Sequence, residues 1–458
     1  MEVLGIGEIV RATQGRLMNS GGDFTVCGVS IDSREINPGD MFIAILGESF
    51  DGHDFIDKAI DKGAALVMTH MRLDGCSIPY ILVKDTLKAL QDVARYYRTK
   101  FQIPFVAITG SSGKTTTKDM IASVLSQKFK VLKTEGNFNN AIGLPLTLLK
   151  LQYSHEIAVL EMGMSSLGEI RLLSDIVRQD VGVISNVGIT HIEKLGSREN
   201  ILKAKLELFS YFDKNSIAVI NGDNDMLCDF HSERYMVIKY GLKESNDMFA
   251  YAIEEKGERG INFSVDLEGI RSDFAVMLPG IHNVYNALSA IAVARLFGME
   301  AEDIGQGLKS FKPSKMRMEI INLDSGVKLI SDVYNANPES MKAAINVLKT
   351  LKSNGRSICI LGDMLELGVL SSDEHYKVGM YAATKGVDVL VAAGSFSGDI
   401  TRGGLASGMN RNSVYAFSDI EEAAASLEGI IKPGDTVLIK GSRGMKMEYI
   451  VDYLRERG

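Results

Sequence analysis

Tryptophan is absent from the 458 residues, proline occurs only 8 times and cysteine only 4 times. Cys27, Cys76, Cys228 and Cys359 are far apart, and no pair has CxxC spacing. That argues against a disulfide framework or a cysteine zinc site and suits a reducing cytosol. No apolar run reaches the roughly 18–20 residues that span a bilayer, and no basic start followed by an apolar segment opens the chain. Membrane insertion and a signal peptide are therefore not expected, and a cytoplasmic location is. Positive charge is also short, with 50 Lys and Arg against 58 Asp and Glu and a formal net charge of -8. This argues against nucleic acid or an anionic membrane as the main partner. A local basic cluster that binds small anions is still compatible with it. There is no low-complexity segment and no short-period repeat.

Hydrophobic residues make up 45% and charged residues 24%, the balance of an ordinary globular protein. The length calls for two or three cores. Residues 1–102 form a first region with short apolar runs at Met41–Leu46 and Tyr80–Val83, and then a helical pattern at Leu87–Tyr97. Residues 103–312 open with the strand run Phe105–Thr109, a glycine-rich turn and a helix near Lys114. Further strand runs follow at Ile157–Met162, Val181–Val187, Ser216–Ile220 and Tyr235–Tyr240, with a helix at Asn283–Phe297. Alternating strands and helices imply a mainly parallel, doubly wound sheet. Residues 313–458 alternate again. Strands are expected at Lys328–Val333, Ser357–Leu361, Val387–Ala392 and Thr436–Ile439, and helices at Glu339–Leu351, Asp373–Lys385, Ile420–Ile430 and Met445–Arg455. This layout is Rossmann-like, yet it lacks GxGxxG at a strand–helix turn, which argues against a nicotinamide cofactor. The expected fold class is α/β in three domains.

The strongest motif is Thr109-Gly110-Ser111-Ser112-Gly113-Lys114-Thr115-Thr116-Thr117, placed between strand and helix. Glycines let backbone N–H groups converge on a phosphate, and the helix N-terminus adds partial positive charge. Lys114 supplies a point charge for the β- and γ-phosphates, and the Thr115 hydroxyl can reach Mg²⁺. The spacing GxxGKT is shorter than GxxxxGK[ST], whose first glycine would fall on Ile108. Glu161, at the carboxyl end of a strand, lies where ligands bind in open α/β sheets and can hold a metal directly or through water. By position alone His191 is as compatible with a structural histidine as with a ligand, and Lys205 is as expected of a solvated helix face.

Taken together these motifs resemble the Mur ligases, ATP-dependent enzymes that form amide bonds in peptidoglycan precursor synthesis, and the shortened loop is that family's form. The likeness covers nearly the whole chain. Asp32-Ser33-Arg34, Pro38–Ala44 and Asp51–Ile56 resemble the family's uridine-nucleotide-binding domain. Glu135–Pro145, Asp332–Pro338, Leu361–Gly368 and Lys440–Glu448 are similar to the branch that joins D-alanyl-D-alanine to UDP-N-acetylmuramoyl-tripeptide. The Asp-Asn-Pro-Arg sequence of the preceding ligase is missing.

The resemblance assigns residues to roles. Gly110, Ser111, Ser112, Gly113, Lys114, Thr115 and Thr116 would cradle the ATP phosphates, Asn283 or Asn286 would meet the adenine edge, and Arg317 and Asp332 would grip phosphate and ribose. Thr115 and Glu161 would hold one Mg²⁺. His191 would help hold a second, with Lys205 as a ligand if carbamylated. Ser33 and Arg34 would contact the uridine nucleotide. Asn137, Asn139, Asn140, Asn335, Asn337, Asp363 and Glu366 would serve substrate binding. No Ser-His or Cys-His nucleophile signature is present, in keeping with an acyl-phosphate route. A third domain closing on a hinge near residues 311–316 and a monomeric enzyme are expected. The rivals are folylpolyglutamate synthase, which lacks a first domain of this kind, a P-loop switch whose turnover answers to a protein partner, and a purely structural α/β protein that would gain nothing from Gly-Lys-Thr-Thr.

Overall fold

Runs of β-branched and aliphatic residues build three large sheets, besides a two-stranded pair of Leu4–Gly5 with Thr25–Val26, in the computed structural model, which describes residues 1–19, 22–47, 50–352 and 355–457. The first sheet has the strand order Arg16–Met18, Tyr80–Leu82, Leu66–Thr69, Met41–Ile43, Val29–Ser30, parallel except at the Arg16–Met18 edge. Helix Thr86–Arg98 follows it. Its start is fixed by Asp85, whose carboxylate accepts the Lys88 N–H at 2.9 Å. Its apolar face lies against the helices Gly143–Leu148 and Glu169–Val177 of the central region.

That docking is close. The buried Tyr97 hydroxyl accepts from the Glu2 N–H and donates to the Leu151 carbonyl, both at 2.6 Å. The Arg98 guanidinium sits 4.0 Å from the Phe105 ring centroid and donates to Val177 O at 2.7 Å. One apolar cluster runs without a break from Leu4 through Tyr97 and Phe105 to Leu227. The first two sheets therefore share a core.

The central sheet has nine strands, in the order Ile270–Val276, Ile261–Leu267, Met248–Glu255, Met236–Gly241, Ile217–Asn221, Val181–Ile184, Phe105–Thr109, Ile157–Glu161, Val131–Lys133. The two strands that begin at Ile261 and Ile270 are antiparallel, and the other seven run parallel. Phe105–Thr109 is buried along its whole length between Val181–Ile184 and Ile157–Glu161. The antiparallel extension over residues 248–276 had no counterpart in the strand runs read from sequence. In its last strand only Phe274 and Val276 are buried, a half-exposed pattern with little continuous apolar signal.

The third sheet is ordered Glu319–Asn322, Lys328–Asp332, Thr436–Lys440, Ser357–Gly362, Val389–Ala393, Val414–Phe417, parallel except for the first pair. Two further corrections to the sequence reading fall here. Helix Ser397–Ala406 and edge strand Val414–Phe417 were not expected, and the last helix begins at Glu448 rather than Met445. The unexpected helix carries three glycines, which depress helix propensity. Two of them are required by packing. A Cβ on Gly403 would lie 2.0 Å from Tyr376 O, and one on Gly404 would lie 2.8 Å from Leu390. Among the described residues, Ile189 and Ile192 of the central region join the apolar core of this third domain.

Replacing Tyr97 by phenylalanine would leave Leu151 O and Glu2 N without their partner. Stability measured by chemical denaturation is expected to fall by about 1–3 kcal/mol, in a single transition because the first two sheets share one core.

Candidate active site

The turn after Phe105–Thr109 lies in the crevice at the carboxyl ends of the parallel strands. Gly113 adopts φ 76°, the left-handed region, and turns the chain into helix Lys114–Leu125. A Cβ on Gly110 would sit 1.9 Å from Ser185 Oγ. The close approach has a function, since Ser185 Oγ donates to Ser112 O at 2.7 Å. Beside it, Asn186 Oδ1 accepts from the N–H groups of Ser111 at 3.0 Å and Ser112 at 2.9 Å, and Asn186 Nδ2 donates to Ser112 Oγ at 2.6 Å. The expected strand Val181–Val187 stops at Ile184 because the next two side chains are given over to this loop. Ser185 and Asn186 were not singled out from sequence. Two polar residues in succession at a buried strand end were the available signal.

Lys114 Nζ donates to Gly110 O at 2.8 Å. Burial pushes its amine below the ordinary value, with the Arg317 charge adding to the effect. Arg317 reaches across from the third domain. Its Nη2 donates to Thr115 Oγ1 at 3.0 Å and its guanidinium lies 4.2 Å from the Tyr334 ring centroid. It is flanked by Met316 at φ 65° and Met318 at φ 51°, two left-handed residues in the segment between helix Ala301–Ser310 and strand Glu319–Asn322. Ser314 Oγ ties the same segment to the loop helix by donating to Asp119 Oδ2 at 2.7 Å.

Glu161 is 2% exposed. Its Oε1 accepts from Asn139 Nδ2 at 2.8 Å, and its buried Oε2 has no hydrogen-bond partner. Among the described residues, no three His, Cys, Asp or Glu side chains converge as a metal cage. The orphaned Glu161 oxygen, with Thr115 on the neighbouring helix turn, therefore fits a divalent cation whose remaining ligands come from nucleotide phosphate and water. His191, at φ 66°, faces the third domain. Its Nδ1 lies 2.5 Å from Glu366 Oε2, a contact without hydrogen-bond alignment, and this imidazole holds the Glu366 carboxyl below its usual range. Lys205, in helix Arg198–Leu206, is 1% exposed rather than solvated. Burial, then the Lys114 charge, lowers its amine well below the ordinary lysine value.

Ser111, Lys114, Thr115, Glu161, His191 and Arg317 line a cavity of about 780 Å³ between the central and third domains, and Lys205 lies behind its wall. Asn283 and Asn286 line it from helix His282–Leu296. Asn283 Nδ2 donates to Pro279 O at 2.8 Å, and Asn286 Oδ1 accepts from Thr117 Oγ1 at 3.0 Å. Asp332, Asn335 and Asn337 line it from the third domain, and Asn337 Nδ2 donates to Thr190 Oγ1 at 3.0 Å. Asn137, Asn139 and Asn140 line the opposite wall, where Asn140 Oδ1 accepts from Gly143 N at 2.8 Å.

Six expected residues are not on the cavity wall: Gly110, Lys205 and Glu366, placed above, and Asp363, Ser33 and Arg34. Both oxygens of Asp363 are occupied by the N–H groups of Ser395 at 2.8 Å and Phe396 at 3.0 Å. Ser33 and Arg34 belong to the first domain. There Arg34 forks onto Asp32 at 2.9 and 2.6 Å and holds that carboxyl at about 2.

A P-loop domain that meets a second α/β domain over its phosphate end is the architecture of an ATP-dependent, amide-bond-forming ligase. Family models narrow this further. "Mur ligase family, catalytic domain" matches residues 25–98, "Mur ligase middle domain" matches 108–294, and "Mur ligase, glutamate ligase domain" matches 316–443. The chain belongs to the Mur ligase family. It is 39% identical, over 98% of both chains, to the UDP-N-acetylmuramoyl-tripeptide–D-alanyl-D-alanine ligase of Bacillus subtilis. Among solved structures it is similar to MurF from Acinetobacter baumannii, at 33% identity and a TM-score of 0.92, covering 100% of this chain and 99% of that one. It is also similar to the MurF ligase of Thermotoga maritima in complex with ADP, at 29% identity and a TM-score of 0.82 over 94% and 97% of the two chains. ATP and Mg²⁺ are the cofactors of such a ligase.

His282, on the cavity wall, has its imidazole pushed down to about 4 by burial, so it is neutral at pH 7. The unfolded chain takes up this proton near the ordinary value of 6.5. Between about 4 and 6.5 the unfolded state therefore binds more protons, and stability rises with pH. Denaturation midpoints followed over that window are expected to climb, and His282→Gln is expected to flatten the climb.

Proposed function

We propose that this chain adds D-alanyl-D-alanine to UDP-N-acetylmuramoyl-tripeptide, giving UDP-N-acetylmuramoyl-pentapeptide, ADP and phosphate, and that it works as a cytoplasmic monomer. The supporting observation is the full-length match to relatives of that name, joined to a cavity supplied by both domains of one chain. Residues 1–102 would take the uridine end of the substrate, residues 103–312 the ATP, and residues 313–458 the dipeptide while closing over the nucleotide.

In the first step the tripeptide carboxylate attacks the γ-phosphorus and ADP leaves. Both reactants are anions, so positive groups must offset their repulsion and the charge that spreads over the phosphoryl oxygens. The loop N–H groups and the Lys114 amine lie at the end of the strand where that charge would develop, and Arg317 arrives from the opposite side. Mg²⁺, held by Thr115 and Glu161 together with the phosphates, and a second ion near His191 and a carbamylated Lys205, would supply further neutralisation. In the second step the dipeptide amine, as the free base, attacks the acyl carbonyl. The tetrahedral adduct collapses, the C–O bond to phosphate breaks, and the amine proton leaves with solvent or phosphate. An acyl phosphate hydrolyses in water, so the contacts of Arg317 with Thr115 and of Asn337 with Thr190 would help shut the cavity during its lifetime. The segment around residues 311–316, pinned at Ser314, would act as the hinge.

Phosphate release by the purified chain should require ATP, the UDP-tripeptide and D-alanyl-D-alanine together. Lys114→Ala is expected to slow it by about 10²–10³-fold, the scale of losing one transition-state donor. Turnover that ignores the dipeptide, or that answers only to a protein partner, would overturn the reading in favour of a switch.

Carbamylation of Lys205 needs a neutral amine, a form that its burial favours. The amine nitrogen adds to CO₂, one proton is lost, and a carbamate results. Activity after CO₂ depletion is expected to recover with bicarbonate, and mass spectrometry of gently handled protein should show the adduct. Full activity in Lys205→Ala would rule this role out.

A further inference from the structure

Strand Thr436–Lys440 is central in the third sheet, between Lys328–Asp332 and Ser357–Gly362. Both neighbours end in loops that approach the central domain, one carrying Asn335 and Asn337 and the other Glu366. The strand itself ends in Lys440-Gly441-Ser442, three residues to which nothing above gives a role.

The Lys440 side chain is 2% exposed, as expected of a buried cation only when it is paired. Its Nζ lies 2.5 Å from Asp332 Oδ2 and donates to Asn335 O at 2.8 Å. Lys440 therefore fixes both the Asp332 carboxylate on the cavity wall and the start of the loop beyond it.

Ser442 is also buried. Its N–H donates to Asp363 O at 3.0 Å, and its Oγ accepts from Leu365 N at 2.9 Å and donates to Ala336 O at 3.4 Å. One side chain thus ties the 335–337 loop to the 363–366 loop. The backbone turn between Lys440 and Ser442 is tightly packed, since a Cβ on Gly441 would lie 2.7 Å from Met447 Cγ and 3.2 Å from Gly362 Cα, so any side chain there would have to displace Met447. The two loops then continue to Asn337 on Thr190 and Glu366 on His191.

We propose that Lys440-Gly441-Ser442 is a positioning hub, in which Lys440 sets the nucleotide grip through Asp332 and Ser442 sets the two loops that receive the amine substrate. The substrate assignment rests on the function proposed above, whereas the hydrogen bonds do not. A turn that served stability alone would lower the melting temperature of its variants and leave the affinities alone. A hub would shift particular affinities.

Steady-state kinetics of the full-length protein separates the two. Ser442→Ala is expected to raise KM for D-alanyl-D-alanine about tenfold, the scale of one or two lost hydrogen bonds, with KM for ATP held within about twofold. Lys440→Met, which leaves Asp332 without its cation, is expected to raise both KM values about tenfold or more. Lys440→Arg, which keeps the charge, should recover a substantial part of the ATP term. If calorimetry shows that Lys440→Met does not fold, the Ser442→Ala split decides. Variants that melt earlier but keep wild-type KM values for both substrates would overturn the proposal.

If the wild-type protein does not use D-alanyl-D-alanine at all, the function reading fails and the hub is judged by two other measurements. ADP titration should show weaker binding to Lys440→Met. Amide hydrogen exchange should show that the Leu365 N–H loses protection in Ser442→Ala. Unchanged values in both would reject it.

Discussion

A carboxylate and a triphosphate repel each other, and most of the site can be understood as the means of overcoming that repulsion. The backbone turn after Phe105–Thr109 has to hold its N–H groups converged in a fixed array, because donors that reorganise during reaction give back what they stabilise. Rigidity is supplied from the adjacent strand end. Ser185 and Asn186 hold Ser111 and Ser112 through four side-chain hydrogen bonds, and Gly110 lets the strand end come close enough to form them. In this state the Asn186 amide oxygen occupies N–H groups that a phosphate could also use. The loop is thus kept in shape by a neutral acceptor.

The contacts that complete the cavity come from the third domain and are of another kind. Arg317 on Thr115, Asn337 on Thr190 and Glu366 beside His191 are single polar contacts reached from loops. Ile189 and Ile192 are the apolar supplement. Polar contacts at a domain boundary exchange readily with water, so the boundary can open without exposing much apolar surface. The left-handed Met316 and Met318 on either side of Arg317 place backbone strain beside the segment proposed as the hinge.

Much of this was legible in the sequence because it depends on local rules. The phosphate loop follows from glycine spacing between a strand and a helix, and the Rossmann-like third sheet follows from alternating apolar periods. Resemblance added what periodicity could not supply. The two kinds of information met at Glu161, which a strand-end rule selected and whose orphaned oxygen the structure exposes. The illegible parts are non-local. Helix Ser397–Ala406 is glycine-rich because another helix backbone passes within contact of it, a fact written in residues 376–379 rather than in the helix itself. Ser185, Asn186, Lys440 and Ser442 act only through partners brought together by sheet register. Lys205 read as a surface lysine because helical periodicity does not report which face the neighbouring helices of the same domain cover.

The unbroken apolar core shared by the first two sheets has a further meaning. Arg98 stacked on Phe105, and Tyr97 bonded to Leu151, weld the outer domain to the strand that carries the phosphate loop. Two sheets joined in this way behave as a ruler of fixed length. In the function proposed above, a nucleotide-linked peptide anchored at one end would be measured against it, and its terminal carboxylate would meet the reactive phosphorus only when the peptide has the right number of residues. Selection by length then needs no side chain to recognise the missing or extra residue, only a weld that does not flex.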